Sequence, residues 1–129
     1  MRAAAWTESV IGAAIEVHRL KGPGLLEEIY QKCLCFELGI RNVPVTSERL
    51  VPVEYKGHVF DSPLRLDVYV DECLVLELKS VERVAPIHKA QLMSYMKLVD
   101  APLGLLINFH EERLVTGVSR MVLPGADIL

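Results

Sequence analysis

Two consecutive segments of the sequence place charged residues on one side of otherwise apolar strands. In residues 64–70, leucine or valine fills every second position and Asp67 lies between them. In residues 73–79, the same alternation leaves Glu77 and Lys79 opposite a row of leucines. Because side chains alternate across a strand, each segment presents its charges on a single face. Removing such charges from water is costly unless they are paired or bound to a metal ion, so this pattern limits the folds that the chain can adopt.

The rest of the sequence supplies helical and strand-like patterns on both sides of these segments. The predicted helices cover residues 7–20, 26–39 and 86–99, and the further strands cover residues 45–54, 59–60, 103–109 and 114–122. The run from 103 to 109 is almost continuously apolar, as expected of a strand that is covered on both faces. This order, two helices, a run of strands, a third helix and two final strands, predicts an α/β or α+β protein with a mixed central sheet flanked by helices.

Composition limits the number of domains and the cellular setting. With 129 residues, of which 51% are hydrophobic, the chain is expected to form one domain over residues 1–129. It has neither an apolar run that could cross a bilayer nor a signal-peptide pattern, and its three cysteines lack zinc-site spacing, so a cytoplasmic protein with buried thiols is expected. The net charge of -3 provides no general positive field, so any nucleic-acid contact must depend on a local patch.

The charges on the two strands have two interpretations. If the strands are neighbours, Asp67, Glu77 and Lys79 converge, which suits a hard cation such as Mg²⁺ that prefers oxygen ligands. Alternatively, the same charges form an ordinary ion pair at an open sheet edge, with Arg65 as a partner. Periodicity alone does not separate these interpretations.

Two helices contribute further candidates. Glu28 has Lys32 four residues later, as in a solvent-exposed helix pair, whereas Glu27 has no local cation and is the better candidate for an inward carboxylate. Gln91 and Tyr95 are also four residues apart and share one helix face. That face is either solvated or positioned to orient a substrate phosphate.

Taken together, these motifs resemble those of the PD-(D/E)XK nuclease superfamily, and most closely those of the bacterial GxxExxY family within it. The matching residues, which span nearly the whole chain, are Gly24-Leu25-Leu26-Glu27-Glu28-Ile29-Tyr30, Arg65-Leu66-Asp67, Glu77-Leu78-Lys79, Gln91-x-x-x-Tyr95 and Gly104-Leu105-Leu106-Ile107-Asn108-Phe109. The sequence departs from the family pattern at the first acidic motif, where a leucine and not a proline precedes Asp67.

The resemblance implies a restriction-endonuclease-like αβββαβ core and a role for each matching residue. Asp67, Glu77 and Glu27 would be catalytic metal ligands for Mg²⁺ (or Mn²⁺), and Lys79 would lie beside the attacking water. The residues implied to bind or orient substrate are Gln91, Tyr95, Arg65 and Tyr30.

The implied activity is hydrolysis of phosphodiester bonds in DNA or RNA by a metal-activated water. The alternative is a non-catalytic module that keeps the nuclease fold and binds nucleic acid or another protein. A further hypothesis is a homodimer whose partner supplies substrate contacts, because one short domain offers little binding surface.

Overall fold

A computed structural model describes residues 2–61 and 63–126 of the chain. The helices are α1 (Arg2–Lys21), α2 (Glu27–Ile40) and α3 (Pro86–Val99). The strands are β1 (Val45–Val51), β2 (Glu54–Tyr55), β3 (His58–Val59), β4 (Leu64–Val70), β5 (Leu74–Lys79), β6 (Leu103–Asn108) and β7 (Val118–Val122). No helix in this part of the chain is both long enough and apolar enough to span a membrane.

Five of the strands form one mixed sheet. Their order is β1-β4-β5-β6-β7, with β5 and β6 parallel and the other neighbours antiparallel. Helix α3 connects the two parallel strands, whereas β2 and β3 form a separate hairpin. The predicted class, a mixed α/β fold with a central sheet flanked by helices, is therefore confirmed.

Two tight turns explain why consecutive strands pair as hairpins. Lys56 and Gly57 between β2 and β3 have φ angles of 52° and 83°, and Asp71 and Glu72 between β4 and β5 have φ angles of 48° and 53°. Two successive residues with positive φ match the twist of an antiparallel pair. The carboxylate of Asp71 also accepts a hydrogen bond of 2.9 Å from Trp6 Nε1, which fastens α1 to the second turn.

The sheet has two faces with different coverings. We call the side covered by α1 and α2 the aliphatic face; its buried strand residues are Val68, Val70, Leu74, Leu76, Leu78, Leu103, Leu105 and Ile107. We call the opposite side the α3 face; its buried strand residues include Tyr69, Val75 and Leu106, which pack with Leu92 and Met96 of α3. Helix and sheet approach closely at Gly104, where an added Cβ would lie 2.7 Å from Met96 Sδ. A larger residue at this position would force the side chains of Met96 and Leu92 to move.

Two predicted strand boundaries were wrong. The first strand ends at Val51 and does not reach residue 54, because Pro52 has no N–H to continue the ladder. Residues Leu114–Gly117 form a 3₁₀ helix and not the start of the last strand. In that turn Gly117 packs against the main chain of β6, where an added Cβ would lie 2.3 Å from Asn108 O.

The predicted alternation also fails at one end of β4. Leu66 was expected to share a face with Val68 and Val70, but it packs in the cluster of the α3 face together with Val51 and Leu64. The paired residues of β4 and β5 run only from Val70 to Val68 along β4. Beyond that point β4 is held by β1 alone, so its side chains no longer follow the alternation of the central sheet.

Candidate active site

The β4–β5 ladder stops at the position of the charged residues. Its last pair is Val68 and Leu76. The next residue is Asp67 on β4 and Glu77 on β5. Asp67 Oδ2 accepts a hydrogen bond of 3.1 Å from the main-chain N–H of Leu78, so a side chain replaces the ladder bond there. The sheet therefore opens between two carboxylates that lie on neighbouring strands.

Glu77 is the most buried acidic residue of the site. Its side chain is on the α3 face, the residue is 4% exposed, and its Oε1 is a buried atom with no hydrogen-bond partner among the described residues. Burial raises the pKa of Glu77 to about 8, the negative charge of Asp67 adds to this shift, and Lys79 opposes it. Without a cation, this carboxyl group therefore holds a proton near neutral pH.

Asp67 is also partly buried, but nearby groups compensate its negative charge better than that of Glu77. Burial raises the pKa of Asp67, the hydrogen bond from Leu78 lowers it, and the charge of Glu27 raises it. Lys79, a half-buried residue at the end of β5, lowers the pKa of both Asp67 and Glu77. The structure thus brings two carboxylates and one ammonium into mutual electrostatic range.

Glu27 reaches the site from the first turn of α2. Its Oε1 accepts a hydrogen bond of 3.3 Å from the main-chain N–H of Ser80, the residue after β5. Ser80 Oγ donates a bond of 2.6 Å to Leu25 O, so the two segments are joined twice. The predicted pair between Glu28 and Lys32 forms on the exposed side of the helix, with 3.1 Å between Oε1 and Nζ.

Tyr30 supports the turn before α2. It is fully buried; its hydroxyl donates a bond of 2.5 Å to Gly22 O and accepts one of 3.1 Å from the N–H of Leu25. Its ring stacks on Phe109, with 4.4 Å between the ring centroids. A direct substrate contact would require the hydroxyl to be free, so the geometry fits Tyr30 as a residue that orients the segment leading to Glu27.

The pair on α3 faces the carboxylates. Burial raises the pKa of Tyr95, the charges of Glu77 and Asp67 add to the shift, and a hydrogen bond with Gln91 reduces it. Both side chains are half-buried. The helix face that they share therefore lies beside Asp67 and Glu77, which we call the acidic pair.

Arg65 and Glu48 lie at the outer margin of this region. Arg65 Nη1 is 3.7 Å from Glu48 Oε1, and the Arg65 side chain is 63% exposed, so the predicted partner of the acidic pair binds a different carboxylate. Sequence reasoning missed Glu48. The β1–β4 register pairs Ser47 with Val68 and Arg49 with Leu66, which leaves Glu48 and Asp67 opposite each other in a gap of the ladder. The φ of Glu48, 53°, is uncommon for a residue inside a strand.

Asn108 is a second residue whose role the sequence did not reveal. It is fully buried at the end of β6; its Oδ1 accepts bonds from the N–H groups of Val81 and His110, and its Nδ2 donates to Val81 O. Phe109 N also donates a bond of 2.8 Å to Lys79 O. These contacts fix the main chain that follows Lys79. The only available signal was a polar residue at the end of an apolar strand.

The donor set can be compared with what a divalent cation requires. Within residues 2–61 and 63–126, no three His, Cys, Asp or Glu side chains stand close enough to hold a metal ion as they are arranged. Glu27 is directed at Ser80, and Asp67 is directed at Leu78. Mg²⁺, however, often takes only one or two carboxylates and completes its shell with water and substrate phosphate. Asp67 and the unpartnered oxygen of Glu77 meet that need.

The chain matches known proteins over most of its length. Residues 4–121 match a family model described as the PD-(D/E)XK nuclease superfamily. The crystal structure of SSO0001 superposes with a TM-score of 0.57 and 19% identity, covering 93% of this chain and 78% of that chain, which supports the fold. No curated protein matches the sequence significantly. Because the family model covers most of the sequence, the chain belongs to the PD-(D/E)XK nuclease superfamily.

Proposed function

We propose that this member of the PD-(D/E)XK nuclease superfamily is a Mg²⁺- or Mn²⁺-dependent nuclease that hydrolyses phosphodiester bonds in DNA or RNA. The observation that supports this most directly is Glu77, a carboxylate in the α3 face whose Oε1 has no partner among the described residues. An ionised carboxylate at such a site is costly without a counter-charge. A divalent cation supplies that charge.

The residues divide the work by their positions. Asp67 and Glu77 would hold the cation, and Glu27, whose Oε1 accepts the N–H of Ser80, would be the third carboxylate of the site. When bound, the cation makes water more acidic and offsets negative charge on the phosphate. Lys79 orients the attacking water and stabilises the charge that develops on the phosphate oxygens.

Three further side chains orient the substrate. Gln91 and Tyr95 approach the acidic pair from α3, and Arg65 lies exposed at its margin. An amide, a hydroxyl and a guanidinium all can donate hydrogen bonds to phosphate oxygens. Tyr30 contributes indirectly by fixing the turn that leads to Glu27.

A cleavage assay with single-stranded, duplex and branched DNA and RNA, in Mg²⁺, in Mn²⁺ and in EDTA, tests the proposal. Asp67→Ala and Lys79→Ala are expected to lose at least about 100-fold in rate, since charge stabilisation of this kind is worth that much. Glu37→Ala is the matched control, because that carboxylate is on the same helix as Glu27, pairs with Arg41 and does not line the acidic site. Cleavage that is equal in EDTA, or unchanged in both site variants, would contradict the proposal.

Binding offers a second readout that is independent of turnover. Mn²⁺ titrated by calorimetry should bind the wild type and bind Glu77→Gln at least about ten-fold more weakly, as for loss of one ligand contact. Metal binding and nucleic-acid binding without any cleavage would favour the alternative of a non-catalytic module that keeps the fold.

Three further assignments concern the family, the extent of the domain and the cellular compartment. The motif in residues 24–30 supports the GxxExxY family of bacterial proteins, and the extent of the family match supports one domain over residues 1–129. Cys33, Cys35 and Cys73 are free thiols, which supports a reducing compartment such as the cytoplasm.

A further inference from the structure

A cavity lies between α2 and β1, on the side of the sheet that α2 covers. Its volume is about 650 Å³, and its lining includes Gln31, Lys32, Cys35 and Phe36 from the helix and Ser47 and Glu48 from the strand. This volume is within the range of pockets that hold small organic groups. None of these residues has a part in the proposed hydrolysis.

Glu48 connects this cavity with the acidic pair. It lines the cavity, and the strand register places it opposite Asp67. Helix α2 makes the second connection, because it begins with Glu27 at the acidic pair and reaches Phe36 at the cavity. Nine residues of helix separate these two positions, which is about 13 Å along the axis. Glu77 is on the α3 face and the cavity is on the side of α2, so a strand with its phosphate at Asp67 and Glu77 would place a neighbouring nucleotide at the cavity by passing the N-terminal end of α2.

The lining has the composition of a base-binding site. Phe36 is 73% exposed, so the face of its ring is available for stacking. The Gln31 amide and the Ser47 hydroxyl provide both donors and acceptors for the edge of a base. Glu48 and Glu28, which also line the cavity, repel phosphates but tolerate a neutral base.

We infer that the cavity between α2 and β1 binds an unpaired nucleobase of the substrate, stacked on Phe36, and that the enzyme therefore acts on nucleic acid with single-stranded character. This inference rests on the proposed function, because the substrate strand is placed by the acidic pair. Bases inside an intact duplex are already stacked and paired, so they cannot enter the cavity without first being unpaired. Stacking tolerates every base, so the site selects strand state more than sequence.

Fluorescence anisotropy in Mg²⁺ with labelled single-stranded DNA and RNA tests the inference. The measurements use the Asp67→Asn background, which removes one repelling charge and retains an oxygen to accept the N–H of Leu78. Adding Phe36→Ala should weaken single-strand binding about 5- to 100-fold, and Phe36→Tyr should restore it. Duplex binding should change less than about two-fold under the same stacking argument.

Ile40→Ala is the matched control. Ile40 is 61% exposed one turn further along α2, and it lines a separate apolar groove with Phe36 and Leu20 but not the cavity. If both variants weaken binding equally and change the mass of the protein in solution, the exposed apolar side chains form a protein interface and the inference is wrong. Unchanged single-strand affinity in Phe36→Ala, or no single-strand binding by the parent, also overturns it.

An abasic scan separates the two proposals. In the Asp67→Asn background, one abasic position in the oligonucleotide should weaken binding, and Phe36→Ala should remove that dependence on position. If that position is found while the wild type cleaves nothing, the nuclease proposal fails and base binding stands. If the wild type cleaves and no position matters, the nuclease proposal stands and base binding fails.

Discussion

The aliphatic face and the α3 face are built from alternate residues of the same strands, yet they solve different problems. Leu76 and Leu78 of β5 enter a continuous apolar core under α1 and α2, whereas Glu77 between them enters a site that includes an unpartnered carboxylate oxygen. The aliphatic face therefore stabilises the fold along its whole length, whereas the α3 face combines a smaller apolar cluster with an acidic site that lowers stability. Because neighbouring side chains of a strand lie on opposite faces, β5 can contribute leucines to the core and Glu77 to the site.

The largest expected effect comes from weakening the aliphatic face. Leu76→Ala removes a fully buried side chain and should lower the free energy of unfolding by about 3–5 kcal/mol. The neighbouring Glu77→Gln should not destabilise the metal-free protein at pH 8, since it removes a buried charge. Urea denaturation of both variants at that pH measures the contrast. A destabilising Glu77→Gln would show that both faces stabilise the fold.

The second effect is a pH dependence that only the α3 face should produce. Since the pKa of Glu77 is raised from 4.5 to about 8, the folded state binds more protons than the unfolded state between these values. The free energy of unfolding of metal-free protein should therefore fall as pH rises through this window, by an amount on the order of 4 kcal/mol.

Denaturation from pH 4.5 to pH 8, in EDTA and in Mg²⁺, measures this dependence. Mg²⁺ should flatten the curve because it stabilises the ionised carboxylate, and Glu77→Gln should flatten it without metal. A curve that is steep in Glu77→Gln would assign the dependence to another group.

A smaller effect should follow from loosening the end of β6. Asn108→Ala leaves the N–H and C=O of Val81 and the N–H of His110 without their side-chain partner, and should cost about 2 kcal/mol. If the proposed function is correct, Asn108→Ala should also reduce the rate of cleavage, because the main chain that follows Lys79 is no longer fixed by these bonds. Thr46→Val, which removes a 3.4 Å bond on the edge strand, is the control and should have little effect on either quantity.

The smallest expected effect tests whether the hydroxyl of Tyr30 stabilises the turn before α2. Tyr30→Phe keeps the ring on Phe109 but removes the bonds to Gly22 O and the N–H of Leu25, and should cost about 1 kcal/mol. Tyr55→Phe on the exposed β2–β3 hairpin is the matched control. Thermal denaturation of the two variants compares them. Equal melting temperatures would mean that the hydroxyl of Tyr30 does not support the turn.

Local patterns predicted the three helices, although α1 begins at Arg2 and not at residue 7. They also predicted the central strands and the face shared by Glu77 and Lys79, because alternation and helical periodicity are properties of neighbouring residues. The choice between Glu27 and Glu28 also depended on a local partner, and the structure has the predicted pair with Lys32.

Long-range register could not be predicted in this way. The position of Glu48 opposite Asp67 depends on how β1 pairs with a strand far along the chain. The role of Asn108 depends on bonds to a loop that is distant in sequence. Tyr30 illustrates the same limit, since a motif residue implied to orient substrate is buried against Phe109.

The parallel pairing of β5 with β6 has a consequence for the order of folding. Glu77 and Lys79 are synthesised before α3, but their strand gains its second neighbour only when β6 closes the long connection through that helix. Such non-local parallel pairing is slow to form. During synthesis, β5 therefore has an open edge, and the acidic cluster acquires its final shape only after Asn108 and Phe109 have left the ribosome. A chain interrupted before β6 would retain Glu27, Asp67 and Glu77 but lack the bonds that fix the main chain at Lys79.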